Sequence, residues 1–112
     1  AVDQWFFYGT STFTPLAQQY GLFTHRFPED VPAAKKHYKE TLLDMFETYN
    51  NHLASNEYLA GDYSIADISC YPDVHVHGAR GGLLGDYPNL SRWHDAIEAR
   101  PAVQRAWVPI KA

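Results

Sequence analysis

A chain of 112 residues with a formal charge of −4 suits one domain with a real core. Its scattered Lys and Arg, paired only at Lys35-Lys36, exclude the basic stripe of a nucleic-acid binder. Eight Tyr, six Phe and three Trp argue against disorder, and no apolar run nears the ~18 residues that span a membrane.

No basic, apolar leader opens the chain. It begins inside an aromatic pattern at Val2-Asp3-Gln4-Trp5, so further residues upstream are expected. The spacing predicts a first helix from Asp3 to about Phe23, with Asp3 as its cap. Trp5, Phe6 and Phe7 lead it, and Leu16, Tyr20 and Phe23 follow at helical intervals. Between them Gly9 to Pro15 is poor helix material. Pro15 lacks a backbone donor, so a kink is expected, with an uninterrupted helix and two helices with a break both open.

His25 to Pro32 reads as a linker, with Asp30 placed to cap a long helix from about Val31 to Ala54. Tyr38, Leu42, Met45, Tyr49 and His52 form one face of that helix, with Lys35, Lys36, Lys39, Glu40, Asp44 and Glu47 mainly opposite. A turn then leads through Ala60-Gly61-Asp62 to Ser64. Ser64 and Asp67 have the spacing of a capping box, in which the hydroxyl accepts from the Asp67 N–H and the carboxylate from the Ser64 N–H. Tyr63 and Ile68 are placed as a hydrophobic staple. The helix from Ile65 to about His77 has little polar face and is expected to be central and buried, kinked by Pro72. A glycine-rich loop covers Gly78 to Gly85. A fourth helix spans about Pro88 to Ala99, and a short last helix opens at Pro101 and ends at Val108-Pro109. No stretch alternates with period two. The expected fold is an all-α bundle of about five helices, one domain over residues 1–112.

The candidate chemistry is sparse. Ser64 and Asp67 read as a structural cap, since no histidine completes a triad with them. Asp73, His75 and His77 lack the spacing of a metal site, because residues two apart on a helix point to different sides; no metal is expected. Cys70, the single cysteine, rules out an internal disulfide, fits a reducing compartment and reads as an inert core thiol. The Gly78–Gly85 loop, with Arg80 inside it, follows a helix and lacks the Lys-Ser/Thr ending of a phosphate cradle.

L-A-G-D-Y-S-I-A-D, Leu59 to Asp67, resembles the capping motif of the C-terminal domain of the glutathione transferase superfamily. W-H-D-A-I-E-A-R-P-A-V, Trp93 to Val103, resembles that domain's penultimate helix and following Arg-Pro turn. Q-W-F-F-Y at Gln4–Tyr8 and T-P-L-A-Q-Q-Y-G-L-F at Thr14–Phe23 resemble the Nu-class and Ure2p-like branch. The resemblance implies a helical domain that shapes the pocket for a small electrophile or disulfide and supplies much of a homodimer contact in a cytoplasmic protein. Glutathione, the implied co-substrate, would be held by a thioredoxin-like N-terminal domain that also activates its thiol. No βαβ pattern precedes Trp5, so no catalytic residue is expected within these residues, and the chain alone is expected to be inactive. A piece of a larger enzyme and a solitary protein-interaction module are both open.

The same resemblance places Tyr8, Thr12, Phe13 and Thr14 at the cleft as substrate-binding residues and Gln19 near glutathione. Core or dimer packing is the competing role for the aromatic cluster at Trp5–Phe7. Gly9 and Tyr20 depart from the branch, which commonly has Gln and Asn there.

Overall fold

The computed structural model describes the backbone of residues 1–111 and the side chains of residues 1–107. Five helical rods account for the architecture. The first joins α1 (Val2–Tyr8) and α2 (Thr14–Gly21) through a π-helical turn, Gly9–Phe13, and continues in a second such turn, Leu22–Arg26. There is no break. The Thr14 N–H bonds the carbonyl of Gly9, five residues back, so the rod takes up an extra residue just before Pro15. Pro15 then falls just after this wider turn, at the second position of α2.

The long helix α3 (Pro32–Leu53) forms the floor. Its buried residues Leu42, Met45 and Tyr49 follow the predicted stripe, and Phe46 and Leu53 widen it. Asp30 does not cap it; the carboxylate pairs with Lys35 at 2.7 Å instead. Nor does Asp3 cap α1, where Ala1 holds the cap position.

Next comes α4 (Ile65–Asp73), prolonged by a π-helical turn at Val74–Ala79. Gly61, in the turn before it, has φ +92°, a conformation that L side chains resist. Contrary to expectation, α4 is not buried all round. Ala66, Asp67, Cys70 and Tyr71 face inward, while Ile65 and Ile68 are 54% and 53% exposed. The even apolar distribution reflects a helix with two apolar faces, one of them turned to the surface.

The last rods are α5 (Pro88–Glu98) and α6 (Pro101–Lys111). The backbone of α6 runs past the expected stop at Val108-Pro109 to Lys111. Tyr87, at the cap position of α5, makes no side-chain cap bond. Asn50 of α3 substitutes, its Oδ1 accepting from the N–H groups of Asn89 and Leu90 at 2.9 and 3.1 Å. Arg92 ties α5 back to the end of α3 by donating to the carbonyls of Leu53, Asn56 and Glu57. Among the described residues no β-strand forms; the turn before α4 holds only isolated bridges. The core runs between α2, α3, α4 and α5, centred on Phe13, Phe46, Tyr49, Leu90 and Trp93.

Candidate functional site

The start of α4 is the best-determined polar junction. Ser64, in extended backbone, accepts from the N–H of Ala66 at 3.2 Å, and Asp67 Oδ2 accepts from the Ser64 N–H at 3.0 Å. Asp67 is fully buried, and its other oxygen takes the N–H of Leu59 at 3.0 Å and the indole N–H of Trp93 at 2.8 Å. A buried carboxylate is tolerable only with such a set of donors. The junction holds α4, the Leu59 turn and α5 together, and offers no acid or base to a substrate. Spacing reveals the helix cap; the tie to Trp93 follows only from the fold.

The candidate binding residues divide between two sides of the first rod. Tyr8 is half-buried against α3, edge-on to Tyr49 at 5.4 Å. Burial pushes its phenol above the ordinary range, so at neutral pH it stays protonated and acts only as a neutral hydroxyl. Phe13 is fully buried, its ring 5.1 Å from Tyr49 and 6.2 Å from Phe46. It belongs to the core. Thr12 is half-buried and Gln19 exposed. Thr14 is half-buried, and its hydroxyl favours the charged form of the Asp73 carboxyl on α4. Gly9 is buried where a Cβ would meet Ser69 Oγ at 3.3 Å. Its smallness serves the approach of the first rod to α4.

Around Thr14 lies a polar node. Burial raises the Asp73 carboxyl above its usual range, and the Thr14 hydroxyl opposes that. His77 Nε2 lies 3.9 Å from Asp73 Oδ1. Burial lowers the His77 imidazole below its ordinary value, and the nearby His25 and Arg26 lower it further. Tyr20 sits edge-on to both His77 and His25. Neighbouring groups pushed in opposite directions are common where substrates bind. Cys70 is of another kind: fully buried and pushed up by desolvation, its thiol is not poised for chemistry.

An apolar groove of about 570 Å³ opens between α4 and α6. Tyr63, Ile68, Tyr71, Pro72, Val103 and Trp107 line it. The staple pair Tyr63 and Ile68 thus forms part of a groove wall. None of the candidate binding residues lies in it. Ile65, Ile68 and Pro72 of α4, with Val76 of the following π-helical turn, carry the exposed face of this rod beside the groove.

Beneath the groove, His75 and His94 are both buried, with Nδ1 of the first 2.9 Å from Nε2 of the second. Together with Glu98 they bring possible metal-ligand atoms within 4.8 Å of one another. The two rings are nearly parallel, at 9°, with centroids 5.2 Å apart. That separation is about what two ring radii and the 2.9 Å contact add up to. The nitrogens therefore face each other head-on, as in a hydrogen bond, and do not converge on a third point. Neither the spacing of His75 nor that of His94 reveals this pairing.

Residues 13–101 match the family described as glutathione S-transferase, C-terminal domain. The chain belongs to that family. It is similar to the disulfide-bond oxidoreductase YfcG of Escherichia coli, with 33% identity over 107 residues, covering 95% of this chain and 50% of that protein. A glutathione transferase of Burkholderia graminis, solved with two glutathione molecules per subunit, superposes with a TM-score of 0.83 at 30% identity. That match covers 93% of this chain and 47% of the other. The fold is also that of the glutathione transferase URE2P6 of Phanerochaete chrysosporium, solved with oxidized glutathione: TM-score 0.87, 24% identity, covering 95% of this chain and 50% of that one. The chain spans about half the length of these relatives. Solved neighbours thus include Ure2p-like transferases, as the first-helix motifs suggested.

Proposed function

We propose that these residues form the helical substrate-binding domain of a glutathione-dependent transferase or disulfide reductase. The carrying observation is the exposed apolar face of α4 with its adjoining groove, on a chain half the length of relatives that act on disulfides or are solved with glutathione. An apolar surface of this kind on an otherwise polar domain marks an interaction site. The reading assigns it as the seat of a thioredoxin-like domain that binds glutathione.

In the proposed reaction that domain holds glutathione as thiolate, which attacks a small electrophile or one sulfur of a mixed disulfide. In the second case the other sulfur leaves as thiolate and takes a proton. A free thiol near pKa ~8.5 is mostly protonated at neutral pH, so activation is needed. The reading assigns that activation to the thioredoxin-like domain; Cys70, fully buried with its thiol pushed up by desolvation, is not a candidate for it. The chain's part is to receive the second substrate at Tyr8, Thr12 and Thr14, with Phe13 behind them and Gln19 towards glutathione. The Thr14–Asp73–His77 node supplies polar contacts at its edge. Phe7, 63% exposed on α1, suits the contact of a homodimer. No helix among the described residues is long and apolar enough to cross a membrane. The cytoplasm is the proposed compartment, where a lone thiol stays reduced.

The experiment is a chimera carrying the missing half from the Escherichia coli relative ahead of this chain. Glutathione-dependent reduction of a model disulfide, lost on Ile68→Asp with the fold retained, supports the reading. A chimera that folds and binds glutathione but turns over no disulfide or electrophile contradicts it. The groove also supports a second reading, a protein-interaction module without catalysis, which that negative result would favour.

A further inference from the structure

We propose that His75 and His94 form a proton-sharing pair that acts as a pH-sensitive latch between the turn Val74–Ala79 and α5, under the apolar groove. A head-on N···N contact of 2.9 Å holds only if one nitrogen is a donor and the other an acceptor. His94 Nδ1 lies 3.0 Å from Asp95 Oδ1 and 3.9 Å from Glu98 Oε2. An ionised carboxylate only accepts, so Nδ1 of His94 carries a proton. With both rings neutral, His94 Nε2 is therefore the acceptor and His75 Nδ1–H the donor.

Adding one proton preserves the bond. The cation is shared along the line of the two rings and faces Asp95 and Glu98 of α5. Tyr71 of α4 adds its hydroxyl 3.5 Å from the same His75 nitrogen, and Trp107 of α6 covers that ring at 4.8 Å between centroids. Adding a second proton makes both facing nitrogens donors. The bond is lost, two like charges stand in a buried site, and the seam between the turn and α5 must open. Trp107 donates to the Tyr71 hydroxyl at 3.3 Å, and both line the groove, so opening reshapes the groove floor.

The test is an imidazole nitrogen NMR titration of the full chain from pH about 8 to about 4.5. Expected is a first step in which the resonances of both rings move together, and a second, more acidic step accompanied by a change in Trp107 fluorescence. Asp95→Asn, at a carboxylate 71% exposed, leaves the packing intact. It should lower the proton affinity of the first step about threefold, the size expected of a screened carboxylate neighbour. His75→Gln should convert His94 to a single step. Two independent single-step titrations, no response to Asp95→Asn, or zinc binding that takes up both facing nitrogens at once would overturn the proposal.

Discussion

The indole N–H of Trp93 donates to Oδ1 of Asp67 at 2.8 Å, joining the first turn of α4 to the middle of α5 across 26 residues of sequence. The two stretches that carry the family resemblance thus meet in one hydrogen bond. Asp67→Ala removes the acceptor for three N–H groups, those of Ser64, Leu59 and Trp93. A loss of about 3 kcal/mol or more is expected, beyond the ~1 kcal/mol of a helix cap alone. Trp93→Phe keeps the ring and should cost about 1–2 kcal/mol. Denaturant midpoints of both variants and the double mutant check this. Additive losses would show that the pair does not couple.

Acid stability should depend on His77. Its imidazole is held below the ordinary value in the folded chain, so the unfolded chain binds the proton first. Stability on this account is full above pH about 6.5 and is lost as the pH falls through the unfolded value towards the folded one. Asp73 acts in the opposite sense at lower pH, because its folded carboxyl is raised and takes up a proton before the unfolded one. His77→Gln should flatten the fall in melting temperature between about pH 7 and pH 5. An unchanged slope would contradict the assignment.

Gly9 sets how closely the first rod approaches α4. A Cβ there lies 3.3 Å from Ser69 Oγ and 3.7 Å from Cys70 Cβ. Gly9→Ala should be close to neutral, the helix gain of about 1 kcal/mol offsetting the tight contact. Gly9→Gln, the residue common in the resembling branch, has no room and should cost about 1–3 kcal/mol. A thermal melt distinguishes the two; a stabilised Gln variant would show that the rods separate readily.

Thr14→Val removes the hydroxyl that opposes the desolvation of Asp73. The Asp73 carboxyl should move further above its usual range, read by carboxyl carbon NMR. In the chimera the same variant should raise KM for the second substrate more than it lowers kcat. An unmoved Asp73 titration would mean that the hydroxyl bonds elsewhere.

Much of the fold is legible because helix, cap and turn signals are local. The stripe of α3, the Ser64–Asp67 start of α4 and the Gly61 turn are all read from neighbouring residues. The continuous first rod is not, since a π-helical turn that takes up a residue before Pro15 leaves no periodic signature. The surface of α4 is also hidden: an exposed apolar residue such as Ile68 reads like a core residue until a neighbour fails to cover it. Around Thr14, spacing does not reveal the approach of Asp73 and His77, and it cannot place Phe13 in the core against Tyr49. The His75–His94 contact joins two helical rods 19 residues apart, beyond the reach of any spacing rule.

The account stands most directly on the activity of the 112-residue chain by itself. Purified and folded, it is assayed with glutathione and a chromogenic electrophile. The prediction is no turnover above the uncatalysed rate, because the proposed function assigns activation of the thiol to the thioredoxin-like domain. Measurable glutathione-dependent turnover by this chain alone would contradict the division of labour proposed for it.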